Sequence, residues 1–106
     1  MSLGIRNATT PMNVHILYIE IELHVPYSQS LKDKRQVVTR FKDRTRNQYN
    51  VSIAEVGHLD DWQRAGFALS MVGNARAVLE KQANSLATFA QEIVDAEVIA
   101  FERQWL

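Results

Sequence analysis

The order of hydrophobic periods predicts an α+β fold. It is a ferredoxin-like β-α-β-β-α-β sandwich, with an antiparallel sheet in the order 4-1-3-2 and two helices on one face. Three observations carry this. Residues 14–25 alternate apolar and polar side chains, as a half-buried strand must. Residues 30–48 and 74–92 place apolar side chains three and four apart, the spacing of an amphipathic helix. Two short runs separated by a turn lie between those helices, and one more run closes the chain. Right-handed crossovers then bring both helices to the same side of the sheet.

Residues 1–11 show no period and end at Pro11, with Met12 as a second start. They are expected to be a flexible leader or an added extension, which leaves 12–106 as a single domain. In the first strand Leu17, Ile19, Ile21, Leu23 and Val25 form one face. Ile16, Tyr18, Glu20, Glu22 and His24 form the other, and Pro26, which cannot donate to a ladder, ends the strand.

Ser30 and Asp33 have capping-box spacing at the start of the first helix. At about 100° per residue, Leu31, Val37, Val38 and Phe41 fall on one side. Lys34 lies close to that stripe, so its stem is expected to snorkel at the helix edge. Residues 51–56 form the second strand, 57–61 a turn, and 62–73 contain the third strand. There Phe67, Leu69 and Met71 point one way, and Gly66, Ala68, Ser70 and Val72 the other. Asn74 is the expected N-cap of the second helix, in which Leu79, Ala83, Leu86, Ala90 and Ile93 share a face. Residues 96–105 form the last strand. The open side of the sheet then carries Glu20, Glu22, His24, Ser52, Ala54, Ala68 and Ser70.

The totals narrow the function classes. A chain of 106 residues with 46% apolar content suits one core. The absence of Cys removes disulfides and thiolate metal sites. No apolar run is long enough to span a bilayer, and no secretory signal opens the chain, so a cytoplasmic location without membrane contact is expected. The formal net charge is zero, yet seven Lys or Arg stand against two Asp between residues 30 and 48. That segment is net positive by five, and the rest of the chain is net negative by the same amount. No glycine-rich phosphate loop or helical zinc motif occurs, so neither a cofactor nor a metal is expected.

In the expected topology, the end of the first strand, the start of the basic helix and the 57–62 turn share one end of the sheet. Lys32, Lys34, Arg35, Lys42, Arg46 and Trp62 are the candidate anion or nucleic-acid ligands. The cations suit phosphates and the indole suits a stacked base. The plainer account is a solvated cationic face with Trp62 plugging the core. His24 and His58 are two strands apart and match no metal-site spacing, so ordinary surface histidines are expected. Glu20 and Glu22 lack a cleft that would tune a carboxylate pair, and cross-strand pairing to Arg64 or Arg103 accounts for them. Ile16, Tyr18, Glu20, Glu22 and Ala68 are the candidate interface on the open sheet face, where two copies could pair.

Several segments resemble a known family. They are Glu22-Leu23-His24-Val25-Pro26, Ser30-Leu31-Lys32-Asp33-Lys34-Arg35, Asn50-Val51-Ser52-Ile53-Ala54-Glu55-Val56, Trp62-Gln63-Arg64-Ala65 and Val72-Gly73-Asn74. From about residue 12 to 106 the chain is similar to the YlxP-like family, a bacterial domain of unknown function numbered 503. It departs from the family in having Gly57 where an acidic residue is common. The resemblance implies a ferredoxin-like fold, no established enzymatic activity, and a genomic setting among translation-initiation and ribosome-maturation genes. The expected function is therefore a non-enzymatic binding domain contacting RNA or a ribosome-associated partner through helix 30–48. The alternative is a dimeric structural or regulatory interaction module that uses the open sheet face without nucleic acid.

Overall fold

The computed structural model describes residues 12–93 and 95–106. The leader expected at 1–11 lies outside the described residues. The elements follow the expected order, with β1 (His15–His24), α1 (Leu31–Gln48), β2 (Ser52–Gly57), β3 (Arg64–Gly73), α2 (Arg76–Gln91) and β4 (Glu97–Trp105). The four strands form one antiparallel sheet in the order β2-β3-β1-β4, which is the expected order read from the other edge.

Alternation decides which face is covered. Leu17, Ile19, Ile21 and Leu23 of β1 and Phe67, Leu69 and Met71 of β3 are all buried. They meet Val37, Val38 and Phe41 of α1 and Leu79, Ala83, Leu86 and Ala90 of α2. Phe41 and Phe67 pack edge to face with centroids 5.0 Å apart, joining helix to sheet at the centre of the core. Tyr49, just past α1, shares a 2.7 Å hydrogen bond with Ser85 of α2, linking the helices.

The second helix starts later than expected. Asn74 is not its cap; Ala75 occupies that position and makes no side-chain capping bond. The join between strand and helix is tight. A Cβ at Gly73 would stand 3.1 Å from Leu79 Cδ2, so Leu79 packs directly over the last residue of β3.

The edge strands are irregular. β2 has only six residues, and its register with β3 shifts between Glu55 and Gly57. β4 shifts register against β1 opposite Glu22 and Leu23, which sets Ile99 outside the ladder as a bulge.

Candidate functional site

The basic helix is capped as its first residues dictate. Ser30 Oγ accepts the Asp33 backbone N–H at 3.0 Å. The Asp33 carboxylate reaches one residue further back than a capping box requires, accepting from Gln29 N at 3.0 Å.

The expected cationic set divides three ways. Lys32 and Arg35 are exposed and Lys42 half-buried, and none of the three makes a hydrogen bond or ion pair among the described residues. Arg46 is partly committed. It donates to the Ile53 carbonyl of edge strand β2 at 3.2 Å and lies 3.8 Å from Asp43.

Lys34 departs from the expectation altogether. It does not snorkel at the helix edge, nor does it face a solvent-borne phosphate, for it is only 2% exposed. Its ammonium donates to the carbonyls of His58 (2.9 Å), Leu59 (3.3 Å) and Arg64 (3.1 Å) and sits 3.3 Å from Glu55 Oε2. A buried ammonium needs this complete set of acceptors, and the chain reversal between β2 and β3 supplies three carbonyls converging on one point.

That hub gathers the end of β1, the start of α1 and the β2–β3 turn at one tip of the sheet. Val25 N donates to Gln63 O at 2.8 Å, and the Gln63 side-chain amide donates to Ser28 O (3.1 Å) and Pro26 O (3.3 Å). Trp62 does not plug the core; it stands 54% exposed at this tip.

On the open face, β1 places Glu20 between Ala68 of β3 and Glu102 of β4. Ala54 of β2 continues the row beyond Ala68. A depression of about 210 Å³ opens beside that row. Glu20, Glu22, Glu102 and His58 line it, with Gly57 and Gly66 among its walls. Glu22 Oε1 is shared by His58 Nε2 at 2.8 Å and Arg64 at 3.1 Å, so the expected pairing to Arg64 is present. Arg103 is not a partner of either glutamate; its guanidinium lies over the Phe101 ring. Glu20 instead accepts from the Tyr18 hydroxyl at 2.9 Å, and this bond is the main reason the phenol is held above its ordinary range.

The two histidines are not brought together. His24 approaches Glu97 at 3.7 Å, whereas His58 faces Glu22. Among the described residues no cluster of three His, Asp or Glu could hold a metal ion. No helix among them is long and apolar enough to cross a membrane.

Three residues of the tip and the open face lie outside the expected set. Glu55 was legible as an inward-facing acid on the strand that Lys34 meets. Glu102 faces Glu20 only because of the β4 register, which the bulge resets. Tyr27, between Pro26 and Ser28, carries no periodic signal at all.

Two comparisons place the chain among known proteins. A family model described as "Protein of unknown function (DUF503)" matches residues 16–103. The chain is also 33% identical over 88 residues to a Bacillus subtilis (strain 168) protein named "Uncharacterized protein YlxP", a match covering 83% of this chain and 96% of that protein. Neither description names a reaction. On the extent of both matches, the chain belongs to the DUF503 family, the YlxP-like proteins of unknown function.

Proposed function

We propose that the outward face of α1 binds RNA, free or within the ribosome, and that the domain acts as a cytoplasmic binding module rather than an enzyme. One observation carries this reading. Lys32, Arg35 and Lys42 are held on a capped helix with no internal partner among the described residues. The opposite, open face of the sheet carries Glu20, Glu22 and Glu102. A polyanion is attracted to the helix side and repelled from the sheet side. The genomic setting implied by the family resemblance supports the same reading.

The test is a salt series. Three phosphate contacts to a single strand give a slope of about −2 in log K against log salt. Replacing Lys32, Arg35 and Lys42 together by Gln removes those contacts and leaves the Arg46 bond to β2 intact. Binding should vanish while the circular dichroism spectrum stays that of the parent. Unchanged RNA affinity in the triple variant refutes the reading.

A second reading, the dimer through the open face, has its own support. Ile16 and Val72 are register partners on that face, and Val72 is 58% exposed. The same face would set Glu20 and Glu102 against their copies, which ranks this reading second. Ala68→Arg should convert such a dimer to monomer by light scattering; an unchanged mass refutes it.

A further inference from the structure

We infer that the sheet tip is a stacking platform for unpaired nucleobases, so that the nucleic acid recognised is single-stranded; this rests on the RNA reading above. Tyr27 is 77% exposed and Trp62 is more than half exposed. They stand on two different loops, and those loops are bonded to each other. Val25 N to Gln63 O, together with Gln63 Nε2 to Pro26 O and Ser28 O, brackets Tyr27 on both sides and immediately follows Trp62.

The loops are also fastened individually. Ser28 Oγ donates to Ser30 O at 2.9 Å, and Gln63 N donates to Asp61 Oδ1 at 2.8 Å. Lys34 takes the carbonyls of His58 and Leu59 from below. Two aromatic rings are therefore presented to solvent on backbone that has little left to order on binding. That is the condition under which ring contacts contribute most to affinity.

The tip is not itself a phosphate cradle. Asp60 and Asp61 lie in the turn beside Trp62, although Asp61 is occupied by the Gln63 N–H and Asp33 by the Gln29 N–H. The unpartnered cations lie on α1, which starts three residues after Ser28. Phosphates along the helix and bases over the tip is the division of labour this charge pattern allows. A duplex keeps its base faces stacked inside and cannot use the rings; a single strand can unstack and offer its base faces without breaking pairs.

The experiment compares a fluorescein-labelled oligoadenylate with a blunt RNA duplex of equal length, by anisotropy at matched salt. The parent chain should bind the single strand at least roughly tenfold more tightly. Tyr27→Ala combined with Trp62→Ala should remove that preference, leaving duplex binding and the salt slope as they were. Tyr27→Phe and Trp62→Phe, which keep a ring, should retain most of it. If single strand and duplex bind alike, or the double Ala variant keeps the preference, the platform is wrong while the basic-helix reading stands. If neither RNA binds at low salt, both readings fall together.

Discussion

Lys34 Nζ lies 3.3 Å from Glu55 Oε2, and both side chains are withdrawn from solvent between α1 and the sheet tip. Removing the cation strands a carboxylate and three carbonyls together. Lys34→Met should therefore cost about 3–5 kcal/mol, read from urea unfolding. Glu55→Gln should cost less, since Lys34 keeps its carbonyls. The two changes combined should cost less than their sum. A parent-like midpoint for Lys34→Met would show that the hub contributes nothing.

Ser30 is a second test of how the basic helix is held. Its hydroxyl accepts the Asp33 N–H. Ser30→Ala should lower stability by about 1 kcal/mol, whereas Ser30→Asp should preserve it. Equal losses from both substitutions in thermal unfolding would remove the capping role.

Gly57 and Gly66 are register partners across β2 and β3 but should respond differently to a methyl group. A Cβ on Gly66 would stand 3.1 Å from Gly57 Cα and 3.4 Å from two further backbone atoms. A Cβ on Gly57 would meet Gly66 Cα at an ordinary 3.6 Å. Gly66→Ala should cost about 1–3 kcal/mol, because backbone must move. Gly57→Ala should change stability by no more than about 0.5 kcal/mol. The reverse ranking would contradict the strand spacing described here.

Tyr18 makes a prediction at high pH. The hydrogen bond to Glu20, with desolvation and the Glu20 charge adding to it, raises the phenol above 10.0. The folded chain thus favours the neutral hydroxyl. Its contribution to stability is complete below the ordinary tyrosine pKa and is lost as pH rises through the raised value. An alkaline tyrosinate titration, assigned by difference from Tyr18→Phe, should move to lower pH in Glu20→Gln. Coincident curves would show that the bond does not form in solution.

The fold was legible because burial on one face of a strand forces a period of two. Leu17 to Leu23 and Phe67 to Met71 show that period without interruption. The helix cap was legible because Ser30 acts within its own turn. Lys34 was half legible. Its place in the apolar stripe was visible, but its acceptors come from residues 24 to 30 positions away, and no local rule reports them. Glu102 opposite Glu20 depends on the β4 register, which one extra residue decides. The tip aromatics needed the three-dimensional joining of two loops. Trp62 was legible as a stacking candidate from its place after the 57–61 turn, whereas Tyr27, which follows a proline, gave no signal.

The Arg46 bond to the Ile53 carbonyl has a consequence for behaviour at high concentration. An edge strand with free carbonyls is a template for another chain to extend. Here one boundary of the sheet is short and has its Ile53 carbonyl taken by a guanidinium, while the other is broken by the bulge at Ile99. Neither offers the long, straight ladder that ribbon growth requires, so the domain is guarded against fibril formation by its own outermost strands.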